Sequence, residues 1–310
     1  MQVGEARLPE ERNLETIINK VEVWRDKTVS YQRVQSGITN LNWKISVAED
    51  VAEYFLKIPG KNTELFIDRN AARDASKKAA DAGVAPELVY YVEDDQVEIF
   101  EFLKDYQSCT VADMLDQKVR SNVIDTYVSV HKSPLFNATK TGFDQIDEHL
   151  RQVEEQSART PRDLPKLRLE FERARQAIEA TGFDIAPCYN DAYVTNYMID
   201  GAKNVKIIDW EYAANNDPVW DLSLYCLECF FDKSTRKAIL EQYFGEVREA
   251  AYSKLVLYYG LCLIKWALWA CLQGKISTIA FDYNKYSSLL FLRARKWMAD
   301  DDWERALQRV

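Results

Sequence analysis

The feature that most constrains this chain is a polar octet followed by an apolar run with an acidic end. Residues 189–196 read Tyr-Asn-Asp-Ala-Tyr-Val-Thr-Asn, and Asp209 ends the strand-like run Val205–Ile208. Asp191 and Asn196 are too far apart in sequence to lie on one helical face. Their spacing is typical of a loop whose two ends converge, and a hairpin is predicted between Asn196 and Asp209. The chain must therefore fold so that a loop and the end of a strand meet.

Two carboxylates and one amide in this arrangement match the groups that a phosphoryl-transfer site needs. Asp191 is the candidate that orients a hydroxyl, and Asn196 and Asp209 are the candidates that hold Mg²⁺ on ATP. Glu211 points the same way from the strand and is a further candidate metal ligand. The alternative role for Asp209 is a helix cap or a turn residue. Each half of the pattern alone is common by chance in long proteins, so the prediction rests on the combination of the two halves.

Composition narrows the classes of function. A chain of 310 residues with 47% apolar residues is long enough for two folded lobes. The net charge of −9 disfavours a nucleic-acid partner, which needs a basic surface. The start carries no signal-peptide core, and no apolar run approaches the length of a membrane span, so we expect a cytoplasmic protein without a membrane partner. The six scattered cysteines are expected to be buried thiols.

The order of the predicted elements gives an α+β fold with two lobes. Residues 1–103 are expected to form a mostly antiparallel sheet with one inserted helix, and residues 104–310 a larger, mainly helical lobe with a nucleotide between the two. The lobe boundary is expected near Leu103–Asp105. The predicted strands of the first lobe cover residues 31–34, 41–47, 54–58, 89–92 and 97–102. The predicted helices cover residues 13–26, 65–82, 108–132, 143–158, 164–181, 218–231, 234–250, 251–273 and 282–309.

Candidate nucleotide contacts lie in the first lobe. Thr39 and Asn40 belong to a strand–turn–strand junction that could cover phosphates, although an ordinary hairpin turn is an equally good interpretation. Lys57 is flanked by apolar strand residues, which predicts an amine pointing into the cleft toward phosphates. The alternative is a strand-edge lysine that reaches water. At the lobe boundary, Glu101 and Leu103 are further candidates for contact with the nucleotide.

The segment after Asp209 predicts how the octet is held. Asp217 followed by Pro218 is a good start signal for a helix. Asp221, in the first turn of that helix, is then expected to accept hydrogen bonds from the backbone of the loop that carries Asp191.

An aromatic stripe in the second lobe suggests a cation site. Trp266 and Trp269 share one side of a predicted helix, and Phe281, Tyr283 and Tyr286 follow shortly. Packing in the core is the ordinary role of such a stripe. The alternative is an aromatic cage for a quaternary ammonium group, with Glu228 as the countercharge.

Two stretches carry a resemblance to a known family. The most specific is Ile208–Leu222, continued to Glu228, and the second is Trp266–Trp269 followed by residues 275–279. They resemble the choline/ethanolamine kinases, above all the bacterial choline kinases, which are aminoglycoside-phosphotransferase-like and protein-kinase-like enzymes. Further matches are Thr39, Asn40, Lys57, Ile67–Arg69, Phe281 and His131.

The resemblance implies an ATP- and Mg²⁺-dependent kinase that phosphorylates the hydroxyl of choline within a bilobal protein-kinase-like fold. Asp191 would be the catalytic base, and Asn196 and Asp209 would bind Mg²⁺. Lys57 would touch the phosphates of ATP. The implied partner is a small amino alcohol, and a homodimer is compatible with the family. The residues implied around the trimethylammonium group are Tyr212, Glu228, Trp266, Trp269, Phe281 and Tyr286.

Two departures from the family pattern leave alternatives open. Tyr189 stands where the family's octet begins with histidine, and Ala72 stands where the family has a glutamate that pairs with the strand lysine. Asp68, one turn before Ala72, is a candidate substitute partner for Lys57. The alternative functions are a kinase for ethanolamine, thiamine or another amino alcohol, and a catalytically impaired pseudokinase that serves as a binding module.

Overall fold

The structure is a computed structural model that describes residues 1–34, 40–48, 52–60, 63, 67–277 and 279–310. Its N-terminal strands are β1 (Val29–Val34), β2 (Leu41–Val47), β3 (Ala52–Ile58), β4 (Leu88–Val92) and β5 (Val97–Glu101). They form an antiparallel sheet in the order β1-β2-β3-β5-β4. Trp43 and Leu56 pair across β2 and β3 on its buried face, where helix α1 (Pro9–Ile18) packs with Leu14 and Ile17. Because apolar residues alternate along the strands, one face of the sheet is apolar and forms a hydrophobic core with α1.

One helix, α2 (Arg69–Asp81), lies between β3 and β4 in the chain. The carboxylate of Asp68 accepts hydrogen bonds from two backbone N–H groups of its first turn. Ala75 and Ala79 are fully buried and belong to the same core as the C-terminal helices. The predicted antiparallel sheet with one inserted helix is therefore confirmed, and α2 joins the sheet to the helical part.

The remainder of the chain is mainly helical, as predicted. Its helices are α3 (Gln117–His131), α4 (Gly142–Glu155), α5 (Leu164–Thr181), α6 (Pro218–Glu228), α7 (Lys233–Phe244), α8 (Glu249–Ile276), α9 (Tyr283–Met298) and α10 (Asp301–Arg309). The long helix α8 is central, because α4, α6, α9 and α10 all pack against it.

The sequence prediction that no apolar run approaches a membrane span was wrong for α8. This helix has 28 residues and contains an 18-residue window with a mean hydropathy of 1.7. The whole window is buried inside the protein. A helix that is apolar on every side is expected at the centre of a large helical core, and its neighbours account for this composition.

Short strands in the middle of the chain position the polar octet. Strand β7 (Ala186–Cys188) pairs with β10 (Ala214–Asn216), and β8 (Tyr197–Ile199) pairs with β9 (Val205–Ile207). Strand β6 (Gln107–Ser108) pairs with β8 as well. The hairpin predicted after the octet is therefore confirmed, and it brings both of its ends to one place.

Several predicted helices differ from the observed ones. The helix predicted over residues 108–132 begins at Gln117, because the Asp116 side chain caps its first turn. The single helix predicted over residues 282–309 is divided into α9 and α10, because Asp300 caps α10. Both of these differences come from capping aspartates within patterns that otherwise continue the helical period. The helix predicted over residues 13–26 is observed at Pro9–Ile18, and the one predicted over residues 234–250 ends at Phe244, where Gly245 caps it.

Candidate active site

The carboxylate of Asp221 holds the start of the octet. It accepts hydrogen bonds from the backbone N–H groups of Tyr189 and Asn190, each at 2.7 Å, and His131 Nε2 lies 3.0 Å from it. Asp221 is fully buried in the first turn of α6. The prediction that it binds the backbone of this loop is confirmed. Since Asn190 has a φ of 63°, the chain turns sharply immediately before Asp191.

Asn196 lies beside Asp191 at the other end of the octet. Its Nδ2 group donates to Asp191 Oδ2 at 3.3 Å and to the Tyr189 hydroxyl at 2.8 Å. The 3₁₀ turn Val194–Asn196 brings these ends together. The Tyr189 hydroxyl in turn donates to the backbone carbonyl of Ile208 at 2.8 Å. The tyrosine that replaces the family's histidine therefore ties the octet to the segment after β9.

Asp209 meets Lys57 across the two parts of the protein. Lys57 Nζ lies 2.6 Å from Asp209 Oδ1 and 2.8 Å from Glu211 Oε1. Asp209 has a φ of 65°, which is uncommon for a residue other than glycine and indicates a backbone held by its surroundings. Lys57 is buried, so the alternative of a strand-edge lysine that reaches water is wrong.

Glu211 is the centre of a buried group of ion pairs. In addition to Lys57, its Oε1 atom accepts from an Arg69 guanidinium nitrogen at 2.7 Å and from Asn40 Nδ2 at 3.1 Å. Only 4% of the Glu211 side chain is exposed. The carboxylate thus balances two cations in this state, and its predicted role as a metal ligand stays a prediction.

The acidic partners of Lys57 come from the segment after β9 and not from α2. Ala72 offers no carboxylate, and the Asp68 carboxylate caps α2, so the expectation that Asp68 replaces the missing glutamate was wrong. Glu98, opposite Lys57 on β5, is a further buried carboxylate. The loss of the family's glutamate therefore does not leave Lys57 unpaired.

The other candidate nucleotide contacts lie on the sheet. Asn40 is buried, and its Oδ1 atom accepts a backbone hydrogen bond at 3.1 Å, so its amide joins the sheet to Glu211. Thr39 lies outside the described residues. Glu101 ends β5 and its carboxylate accepts a backbone hydrogen bond at 3.2 Å, and Leu103 follows shortly. Their contact with a nucleotide stays a prediction.

Burial and neighbouring charges set the protonation of these groups. Burial, followed by the negative charge of Asp209, raises the pKa of Asp191 to about 7. Burial also raises the pKa of Glu228 to about 7. Burial alone would lower the pKa of Lys57, but the nearby carboxylates outweigh burial and raise it. The site therefore combines carboxyl groups that titrate near neutral pH with a lysine that stays charged.

The predicted tryptophans are stacked edge to face with a tyrosine from the segment after β9. Ring centroids lie 5.4 Å apart for Tyr212 and Trp266 and 5.5 Å apart for Trp266 and Trp269. Trp269 Nε1 donates to the Tyr212 hydroxyl at 2.9 Å, which fixes the position of both rings. Both tryptophans are buried in α8, and Tyr212 follows directly after Glu211.

The rings of Tyr212, Trp266 and Trp269 form an aromatic wall. Phe281 and Tyr286 extend this wall toward the surface. Their ring centroids lie 5.9 Å apart, and Tyr283 joins them to Trp269 through centroid distances of 4.9 Å to Phe281 and 6.1 Å to Trp269. Burial, followed by the charge of Glu228, raises the pKa of Tyr286. Since Phe281 is 43% exposed and Trp269 only 5%, the wall runs from the interior to the solvent.

Two side chains at the end of the octet and after β9 have oxygen atoms that could coordinate a hard cation. Asn196 and Asp209 offer an amide and a carboxylate oxygen, which are the ligands that Mg²⁺ prefers. Elsewhere, ligand atoms of His131, Cys188 and Asp221 lie within 4.8 Å of one another. That second cluster has a structural role, because both oxygens of Asp221 already accept hydrogen bonds from the backbone.

The sequence interpretation missed Lys265 and Glu98. Lys265 lies in the middle of the apolar helix α8 and is 1% exposed. A lone charge within a long apolar stretch is expensive to bury, and this signal was available in the sequence. Glu98 gave no such signal, because a charged residue in the alternating pattern of a strand is an ordinary feature.

Known proteins share this architecture. A sequence profile of the choline/ethanolamine kinase family matches residues 31–242. A probable ethanolamine kinase from Arabidopsis thaliana is 26% identical over 307 residues, covering 87% of this chain and 80% of that protein. A crystal structure of a choline/ethanolamine kinase family protein from Mesorhizobium loti has a TM-score of 0.83 at 24% identity and covers 96% of this chain and 98% of that one. The choline kinase LicA from Streptococcus pneumoniae has a TM-score of 0.79 at 21% identity and covers 93% and 99%.

The predicted bilobal, protein-kinase-like α+β fold is confirmed by these structures. The profile covers most of the sheet, the octet and Asp209, whereas the aromatic residues of α8 and α9 lie beyond it. The chain belongs to the choline/ethanolamine kinase family, whose members are phosphotransferases with an alcohol group as acceptor.

Proposed function

We propose that this protein transfers the γ-phosphoryl group of ATP to the hydroxyl group of choline in the presence of Mg²⁺. The observation that carries the proposal is the convergence of three side chains. Asn196 donates to Asp191, and the negative charge of Asp209 acts on Asp191 strongly enough to help raise its pKa. A hydroxyl-orienting carboxylate beside an amide and a second carboxylate is the arrangement that phosphoryl transfer requires.

Each polar group has one role in this proposal. Asp191 accepts a hydrogen bond from the substrate hydroxyl and orients its oxygen toward the γ-phosphorus. Asn196 and Asp209 hold Mg²⁺, which when bound neutralises charge on the phosphates. Lys57 contacts the phosphates, and the carboxylate of Glu211 keeps its amine in place.

The transfer forms a bond from the substrate oxygen to the γ-phosphorus and breaks the bond from that phosphorus to the β–γ bridging oxygen. The hydroxyl proton passes to Asp191, and ADP is the leaving group. This reaction needs no covalent intermediate on the protein. Positioning and charge neutralisation therefore supply most of the rate enhancement.

The aromatic wall supports choline as the acceptor. A trimethylammonium group cannot donate hydrogen bonds and is stabilised by ring faces, which Tyr212, Trp266 and Trp269 supply. Glu228, whose charge acts on Tyr286, is the candidate countercharge. Ethanolamine is the second candidate, because the plant relative is described as a probable ethanolamine kinase. Its primary ammonium needs hydrogen-bond acceptors, and Glu228 is the candidate carboxylate for that role.

A coupled assay of ADP release tests the proposal with choline, ethanolamine, thiamine and an aminoglycoside as acceptors. We expect kcat/KM for choline to exceed that for ethanolamine by roughly tenfold or more, because the added methyl groups fill the ring-lined site. The Asp191→Asn variant measures the background ATPase rate. Release of ADP at that background rate with every amino alcohol would refute the proposed reaction.

The rate should also depend on pH through Asp191. Its pKa of about 7 lies well above the ordinary value of 3.8, and the ionised form is the one that accepts the hydroxyl proton. We therefore expect kcat/KM to fall about tenfold per pH unit below pH 7 and to level off above it. A profile of kcat/KM from pH 5 to pH 9 measures this, and an acidic limb centred near pH 4 would contradict it.

A further inference from the structure

Lys265 is the buried amine whose role the proposed reaction leaves unexplained. It lies on α8 directly before Trp266 and is 1% exposed. Its Nζ atom has no hydrogen-bond partner among the residues that the structure describes. A buried amine without a partner costs folding free energy, so its position calls for a functional reason.

The Lys265 amine lies against the two rings assigned to the substrate ammonium. Its Nζ atom is 3.1 Å from the Trp266 ring centroid and 4.6 Å from the Tyr212 ring centroid. These distances place it well within the range of a cation–π interaction. The protein's own amine thus already occupies aromatic surface of the cation site.

Among the residues that the structure describes, no carboxylate pairs with Lys265 by contact, and Asp191 acts on it only through its charge. Lys265 faces a cavity of about 70 Å³ that Glu148 and Glu211 also line. Glu148 pairs with Lys140. Glu211 pairs with Lys57 and with a guanidinium group. Burial lowers the pKa of Lys265 to about 7, and the negative charge of Asp191 opposes this shift. Below that pH the charge of Lys265 acts on the rings and on any cation bound to their other surfaces.

We propose that Lys265 is a specificity-determining residue that weakens the affinity of the aromatic site for ammonium ions. A substrate cation and the Lys265 amine interact with the same two rings, so each weakens the cation–π interaction of the other. Repulsion between them opposes binding of a charged substrate and leaves an uncharged substrate of the same shape unaffected. This inference rests on the proposed function, since it takes Tyr212 and Trp266 as the walls of the ammonium site.

Calorimetric titration at about pH 6, where the Lys265 amine is protonated, with two ligands of equal shape separates charge from packing. Choline carries the trimethylammonium group, and 3,3-dimethyl-1-butanol replaces its nitrogen by carbon. We expect Lys265→Met to tighten choline binding roughly five- to twentyfold relative to the neutral alcohol, on the basis of a unit charge within several ångströms at a partly buried site. Lys265→Gln is a second uncharged variant, in case methionine disturbs the fold. Lys265→Arg keeps the charge and should keep the wild-type ratio of the two dissociation constants.

The outcomes distinguish the inference from the function it rests on. If both ligands bind the wild-type protein and their affinities change by the same factor in the uncharged variants, Lys265 only fills space and the inference is wrong. If the wild-type protein binds no amino alcohol at all, the proposed function fails together with this inference. A rise in the relative affinity for choline in both uncharged variants, absent from Lys265→Arg, supports it.

Discussion

Replacing Asp191 with alanine should lower kcat by roughly a hundred- to ten-thousandfold, because the substrate hydroxyl loses both its proton acceptor and its orientation. The matched variant Asp191→Asn keeps the size of the side chain and a hydrogen-bond acceptor, but it cannot take a proton. We expect it to be nearly as inactive as the alanine variant. Steady-state kinetics with saturating Mg·ATP and choline measure both. An alanine variant that retains more than about a tenth of the activity would show that another group serves as the base.

Loss of activity in these variants should not come from unfolding. The pKa of Asp191 is raised in the folded state, so its contribution to stability is present below about pH 4 and is lost as the pH rises through about 7. At pH 8 the ionised carboxylate therefore opposes folding, and both variants are expected to melt at the same temperature as the wild type or higher. Asp200→Asn, which changes an aspartate in the β8–β9 turn outside the site, is the control that should keep full activity.

The sheet and the octet hairpin could be predicted from the sequence because their signals are local. Apolar residues alternate along Leu41–Val47, and this strand was predicted with the bounds that the structure has. Helix boundaries were less accurate where an aspartate such as Asp116 or Asp300 interrupts a continuing helical pattern by capping. Strands as short as Ala186–Cys188 were missed, because three residues do not establish a period.

The site was predictable only in part because its contacts connect distant segments. The pattern of the octet indicated that Asp191 and Asn196 converge, and they do. No local pattern could show that Lys57 pairs with Asp209 and Glu211 in place of the missing glutamate. That pairing depends on how the sheet lies against the segment after β9, which is a property of the whole fold.

The position of Asp191 depends in turn on Asp221, whose environment is unusual for a carboxylate. Asp221 is fully buried, and its two oxygens accept the backbone hydrogen bonds of Tyr189 and Asn190 as well as facing His131. The other ring nitrogen of this histidine, Nδ1, lies 2.8 Å from the Tyr243 hydroxyl. Without the carboxylate, the two backbone N–H groups and His131 Nε2 would lose their partner in the interior.

Asp221→Ala is therefore expected to lower the free energy of unfolding by about 3–5 kcal/mol, since it leaves two buried N–H groups and a histidine without their acceptor. Asp221→Asn should lower the free energy of unfolding by less, because its amide oxygen still accepts one of the two backbone hydrogen bonds. The loss remains measurable, since its NH₂ group then faces the other backbone donor. Urea denaturation measures both changes, and kcat of the folded fraction should fall as well because Asp191 follows directly after the released backbone. A loss below about 1 kcal/mol in the alanine variant would mean that water enters and satisfies these groups, and that the loop does not depend on Asp221 for its position.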